Sequence, residues 1–209
     1  VVILLALLSL AGIVAISVTR DTVKDEEDFR NKVDSVLFGT VVHQKKYHSA
    51  KAFFKRNKTP LLITDPKTGF MFTECYQKMA TKLEYTKRVD GSRIFMITSV
   101  AENEGKSTVA TNIALALAQK SDKVVLIDGD LRKPALHKIL GVSVKKENEI
   151  GTYLKGKEDS KLCLIKNKSR NLFLILGNHS YNNSTEIVSG DSMKRLVKGM
   201  RKMMDYVVI

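Results

Sequence analysis

One glycine, followed at once by lysine and serine and set between an apolar run and a helical pattern, constrains this chain more than any other feature. Residues 93–99 form a short apolar run, and residues 107–119 place Val109, Ile113 and Leu117 at helical spacing. Ser99-Val100-Ala101-Glu102-Asn103-Glu104-Gly105-Lys106-Ser107-Thr108 joins them. A loop that leaves a strand and opens a helix at a glycine can wrap successive backbone N–H groups around an anion. The helix N-terminus adds partial positive charge. Lys106 is placed to contact β- and γ-phosphates, and Ser107 to put its hydroxyl on Mg²⁺. The pattern G-x-x-x-x-G-K-[ST] is incomplete, because Val100 stands at its first glycine. A chance Gly-Lys-Ser without function is the competing reading, and the strand-turn-helix context argues against it. Ala101, Glu102, Asn103, Glu104, Gly105, Lys106, Ser107 and Thr108 are therefore the expected nucleotide-phosphate loop, with ATP and Mg²⁺ as the expected ligands.

A second acidic motif follows one helix later. Residues 123–127 are again apolar and run into Asp128-Gly129-Asp130-Leu131-Arg132. Alone, this reads best as a strand followed by an ordinary Asp-Gly turn. In a parallel sheet, however, the C-terminal ends of neighbouring strands face one crevice, which places Asp128 and Asp130 beside the phosphate loop. Two carboxylates there can hold Mg²⁺ through its waters and accept a proton from an attacking hydroxyl. Further apolar runs at residues 172–176 and 206–209 alternate with helical stretches around 150–154 and 186–203. That alternation predicts an α/β fold with a mainly parallel sheet flanked by helices.

The N-terminal part reads differently. Residues 1–18 carry no charge and would rise about 27 Å as a helix, close to the hydrocarbon thickness of a bilayer, so one transmembrane helix is expected to precede the α/β part. A signal peptide lacks support, because no basic n-region and no A-x-A-like site is present. A buried soluble helix is the other alternative, weakened because no polar stripe interrupts the run. Lys and Arg outnumber Asp and Glu by 35 to 22, a net charge of +13, and six of the basic residues fall within residues 45–58. Basic residues after a span face the cytoplasm, so an anionic membrane surface is the expected partner of that segment, with a solvated loop as the alternative. Nucleic acid is disfavoured, since no recognition motif accompanies the charge.

The spacing also predicts a short helix over residues 25–36, a strand or extended segment over 37–42, a linker over 57–69, a helix over 72–85 and a turn at 89–92. The expected organisation is a membrane helix at 1–18, a juxtamembrane segment and linker at 19–69, and an α/β domain at 70–209. Cys75 and Cys163 read as reduced thiols. His43, His48, His137 and His179 lack metal-ligand spacing and read as surface or loop residues. Met193, Met200, Met203 and Met204 read as helix packing.

Residues 104–114, Glu-Gly-Lys-Ser-Thr-Val-Ala-Thr-Asn-Ile-Ala, and residues 127–134, Ile-Asp-Gly-Asp-Leu-Arg-Lys-Pro, closely resemble the Walker A and Walker A′ motifs of the bacterial tyrosine autokinases. Gly151-Thr152-Tyr153-Leu154-Lys155-Gly156 and Asn183-Ser184-Thr185-Glu186-Ile187-Val188 match two further family segments, the second usually N-P-S-E-L-L. The apolar N-terminus followed by Lys24-Asp25-Glu26-Glu27-Asp28-Phe29 looks like the end of the fused chain-length-determinant module, and residues 205–209 look like the strand leading into Walker B.

The resemblance implies ATP- and Mg²⁺-dependent phosphorylation of tyrosines in the protein's own C-terminal tail. Such cycling would control capsular or extracellular polysaccharide polymerisation and export, with the kinase domain in the cytoplasm under the bacterial plasma membrane. It further implies homo-oligomeric rings and the polysaccharide polymerase and export machinery as partners. Carried over by position, Lys106 and Ser107 bind phosphate and metal, Asp128 is the candidate base, Asp130 supports the metal, and Arg132 joins the nucleotide contacts. Three departures stand out. The ring-contact pattern E-x-x-R-x-x-R reads Glu74, Gln77, Ala80, which predicts weak self-association. The Walker B aspartate and the tyrosine tail are expected beyond residue 209, so the fragment is expected to be a poor catalyst by itself. A MinD/ParA-like ATPase switch is the alternative, but that class carries an additional lysine early in the loop, where Ala101 stands here. An inactive nucleotide-binding adaptor is the third reading.

Overall fold

In a computed structural model, residues 2–19, 23, 25–44, 60–120, 123–156, 162, 164–167 and 171–209 are described. The chain divides into two units, Val1–Thr40 and Val41–Ile209.

In the first unit, the uncharged stretch forms helix α1, Val2–Thr19, with Ile3, Leu5, Leu8, Ile13 and Val14 exposed. Among the described residues no helix is long and apolar enough to cross a membrane. The stretch expected to span a membrane forms an apolar helix of 18 residues, whose rise of about 27 Å is slightly short of the roughly 30 Å hydrocarbon core. Helix α2, Glu26–Lys32, starts where Asp25 Oδ1 accepts the Asp28 N–H at 2.8 Å. Its acidic first turn and basic last turn complement the helix dipole. Residues 37–42, read as a strand or extended segment, carry no strand. The basic segment at 45–58, Lys24, His48 and Cys163 lie outside the described residues.

Among the described residues the second unit is built on five strands: β1 Ile94–Phe95, β2 Val124–Ile127, β3 Ile165–Lys166, β4 Leu172–Ile175 and β5 Tyr206–Val208. Their spatial order is β1-β5-β2-β4-β3. All pairs are parallel except β3 with β4, an antiparallel edge that the apolar pattern did not signal. Strand β2 lies centrally, with Leu126 opposite Val208 on one side and Leu174 on the other.

Each β2 residue is at most 1% exposed, because the sheet is covered on both faces. Alternation then divides the strand between two cores. Val124 and Leu126 pack with Tyr76, Ala80, Ala114 and Leu117 from helices α3, Phe70–Asp90, and α4, Lys106–Gln119. Val125 and Ile127 pack on the other face with Leu131, Ile150 and Leu196. That face is covered by α6, Ile150–Leu154, α7, Ser184–Ser189, and α8, Asp191–Met203. Each fully buried aliphatic side chain contributes about 1.5–3 kcal/mol, so continuous burial of β2 anchors the middle of the sheet.

Several boundaries moved. Helix α3 continues to Asp90 and stops where Gly91 takes φ 74° and donates to Lys87 O, a left-handed C-terminal cap. The helical stretch read over 186–203 breaks at Gly190, whose extended backbone separates α7 from α8. A short helix α5, Leu136–Leu140, was not anticipated. Residues 60–63, read as linker, carry Ile63 into the core, where fully buried Asn112 holds it: Asn112 Oδ1 accepts the Ile63 N–H at 2.9 Å and its Nδ2 donates to Leu61 O at 2.8 Å. On α3, Ala80 is fully buried and Gln77 donates to Gln119, so both positions serve the α3–α4 contact. Met193 and Met204 are buried as expected, but Met203 is 60% exposed.

Candidate functional site

Strand pairing delivers the two sequence motifs to one end of the sheet. Beyond β1 and β5, Ile97 N donates to Ile209 O at 2.8 Å and Ile209 N to Phe95 O at 2.9 Å, which aligns the β1 exit with the ends of β5 and β2. The loop after β1 is folded on itself. Ser99 Oγ donates to Ala101 O at 2.7 Å, and Glu104 Oε2 accepts the Ala101 N–H at 3.1 Å. Asn103 and Gly105 take φ of 65° and 93°, left-handed values that turn the chain into α4. Val100 is fully exposed, so the position of the missing first glycine is free of steric crowding. No side chain caps α4, which leaves its first N–H groups for an anion in front of Gly105.

Lys106 reaches across this opening to Asp130, with Nζ 3.1 Å from Oδ2. Asp130 Oδ1 also accepts the Lys133 N–H at 2.9 Å. Burial raises the Asp130 pKa, but the Lys133 N–H and the Lys106 ammonium outweigh it and hold the group below its ordinary value as a carboxylate. Lys133 in turn pairs with Glu102 at 2.5 Å, linking the two loops, although both side chains are largely in solvent and the pair adds little stability.

Asp128 behaves oppositely. It is 4% exposed, its Oδ2 accepts the Ala135 and Leu136 N–H groups, each at 3.2 Å, and Oδ1 receives only a long 3.4 Å contact from Asp130 N. Burial dominates those hydrogen bonds and pushes its pKa up to about 7. A carboxyl of that kind exchanges a proton near neutral pH, as a general base must.

Two cavities meet at these residues. A cleft of about 1150 Å³ is lined by the loop from Ser99 to Asn103, by Gly105 to Thr108 and by Arg132, large enough for a nucleotide. A smaller cavity of about 580 Å³ shares Lys106, Ser107 and Asp130 with it and alone contains Asp128. The structure therefore brings together all the residues singled out in sequence except Glu104, which is turned to Ala101. Among the described residues no group of three or more His, Cys, Asp or Glu side chains converges to hold a metal ion. The donor set instead suits Mg²⁺, which retains waters and needs few protein oxygens, here Ser107 with the two aspartates nearby.

Sequence reasoning missed Lys133, although it stands inside the second motif, and missed Glu149 altogether. Glu149 is fully buried and accepts the Asn178 and His179 N–H groups at 2.9 and 3.0 Å, the His179 ring at 3.1 Å and the Tyr181 hydroxyl at 2.5 Å. Burial opposes ionisation, but these donors, led by Tyr181, keep its pKa low. Tyr181 N also donates to Leu131 O at 2.9 Å, so the network braces the segment that follows Asp130. His179 is thus a partner of a buried carboxylate rather than a plain loop residue. No local pattern around Glu149 could have revealed this, since Asn178, His179 and Tyr181 lie about thirty positions away.

Residues 95–208 match the family described as the CobQ/CobB/MinD/ParA nucleotide binding domain. The chain is 30% identical over 156 residues to the tyrosine-protein kinase YwqD of Bacillus subtilis, covering 74% of this chain and 63% of that protein. It is 30% identical over 145 residues to the succinoglycan biosynthesis transport protein ExoP of Rhizobium meliloti, covering 66% of this chain and 18% of that protein. The chain spans less than two thirds of either relative. In fold it is similar to the kinase domain of the Escherichia coli tyrosine kinase Etk, with a TM-score of 0.70, 22% identity, and coverage of 90% of this chain and 72% of that one.

Proposed function

Starting from the fact that the chain belongs to the CobQ/CobB/MinD/ParA nucleotide-binding domain family, we propose that it is part of an ATP-dependent protein-tyrosine autokinase of capsular or extracellular polysaccharide assembly. The observation that carries this reading is Asp128: a carboxyl 4% exposed with a pKa of about 7, at the end of β2 and in the same cavity as Lys106. A hydrolase can use such a base on water, and it is the apolar lining around Asp128 that favours a phenolic hydroxyl as acceptor.

In this reading the first turn of α4 and Lys106 hold the β- and γ-phosphates in the larger cleft, and Arg132 adds positive charge at its wall. Mg²⁺, when bound, neutralises phosphate charge, and Ser107, Asp128 and Asp130 are the residues that would hold it or its waters. Asp130 keeps the Lys106 ammonium in the site before nucleotide arrives. Asp128 Oδ1, with its single weak partner, takes the proton of the tyrosine hydroxyl. The phenolic O–P bond forms as the bond between the γ-phosphorus and the β-phosphate oxygen breaks, and ADP leaves. Positioning and charge stabilisation supply most of the acceleration in such transfers.

Attachment to the bacterial plasma membrane through α1, with the remainder in the cytoplasm beside an anionic surface, belongs to the same proposal. It rests on the exposed apolar side chains of α1 and the basic composition of residues 45–58. The succinoglycan transport relative supports the polysaccharide machinery as partner. The acceptor is the protein's own tyrosine-rich tail in a homo-oligomer. The test is incubation with γ-labelled ATP and Mg²⁺ followed by phosphotyrosine detection, using the protein with its native flanking sequence. Tyrosine phosphorylation that disappears in Asp128→Asn is expected. ATP hydrolysis with no phosphotyrosine would refute the kinase and favour the nucleotide switch.

A further inference from the structure

The smaller cavity is more uniformly apolar than the nucleotide cleft. Met96, Ile97, Ile127, Met193 and Val197 make it predominantly apolar, and Asp128, Asp130, Lys106 and Ser107 are among its polar lining. A flat aromatic ring ending in one hydroxyl matches such an apolar slot, in which Asp128 is the buried acceptor. Two more of its lining residues, Lys194 and Lys198, stand one helical turn apart on α8 and are exposed. Lys194 lies 3.3 Å from Asp191, but the two side chains are 69% and 78% exposed, so that pair leaves the ammonium accessible. Asp191 is the one acidic residue of α8, against Lys194, Arg195, Lys198, Arg201 and Lys202. The helix therefore presents a basic rim beside an apolar slot.

We propose that this cavity is the acceptor slot and that Lys194 and Lys198 make it selective for tyrosines flanked by acidic residues. The inference deepens the kinase reading and rests on it for the identity of the chemistry, but its binding part stands on the slot and its rim. Charge selection at a rim acts through screened Coulomb attraction, so it falls as salt approaches a Debye length comparable with the contact distance.

The experiment is fluorescence anisotropy with this chain and two labelled peptides, one with tyrosine between glutamates and one with tyrosine between lysines. Both are titrated with and without a non-hydrolysable ATP analogue and Mg²⁺. The acidic peptide should bind at least about tenfold tighter, and moderate salt should erase most of the difference. The double variant K194E/K198E should reverse the order. Val197→Trp should fill the slot and abolish binding of both peptides while the analogue still binds, which shows the variant folded. Equal affinities, an order unmoved by charge reversal, or peptide binding that survives Val197→Trp would overturn the acceptor slot. Peptide preference as expected without any binding of the analogue would uphold the slot and refute the nucleotide reading instead. Analogue binding with no peptide preference would do the reverse.

Discussion

Replacing Asp128 by Asn separates the chemistry of that carboxyl from its effect on stability, because the two should move in opposite directions. The group titrates at 3.8 when unperturbed and at about 7 in the fold. A gap of that size corresponds to on the order of 4 kcal/mol of unfavourable ionisation. The sign follows from linkage: with the folded pKa above the unfolded one, the carboxyl's contribution is fully present below pH 3.8 and is lost as pH rises through about 7. Asparagine removes the titration. Its carbonyl oxygen can still accept the Ala135 and Leu136 N–H groups, which both go to Oδ2. Its NH₂ must face the Asp130 N–H in place of Oδ1, and that mismatch costs about 1 kcal/mol. Asp128→Asn should therefore be more stable than the parent at pH 8 by roughly 1–3 kcal/mol, with the gain shrinking toward zero near pH 4. Urea unfolding of both proteins in chelator-containing buffer at pH 5 and pH 8 reads this directly. The same substitution should abolish tyrosine phosphorylation, and the parent's rate should climb with pH through about 7 as the base deprotonates. An Asn variant less stable than the parent at pH 8, or a gain equal at both pH values, would refute the burial account of Asp128.

Lys106→Met should remove nearly all phosphotransfer in a phosphotyrosine assay, while its urea midpoint shifts by less than the equivalent of about 1 kcal/mol, because the Lys106–Asp130 pair is 31% and 27% exposed. Glu149→Gln should cost about 2–3 kcal/mol by weakening several charge-assisted hydrogen bonds at once, measured by urea unfolding at pH 7. Because the folded pKa of Glu149 is lowered, its contribution is present above the ordinary 4.5 and lost as pH falls through the folded value. The Gln variant should lack that part of the acid sensitivity. Asn112→Ala should cost about 2–3 kcal/mol by leaving the Ile63 N–H and the Leu61 carbonyl unpaired. Hydrogen exchange at Ile63 should then accelerate more than at Leu126 in the centre of the sheet.

Much of the site could be read from the chain because its determinants are local. The Gly105-Lys106-Ser107 turn and the Asp128-Gly129-Asp130 turn each follow a strand, and a parallel sheet brings such turns to one edge whatever the details of packing. The sequence determined the fold class, the Gly105-Lys106-Ser107 turn into α4 and the nearness of both aspartates to it. Tertiary structure decided the surroundings of those residues. Asp128 and Asp130 are two positions apart, yet burial pushes one up to about 7 while Lys133 and Lys106 hold the other low. Spacing carries no information about burial. The same is true of Asn112 and Glu149, whose partners lie 49 and up to 32 residues away and exist only once helices close over the sheet. A local pattern records which backbone shape comes next, whereas desolvation and long-range hydrogen bonding depend on what the finished fold places around each group.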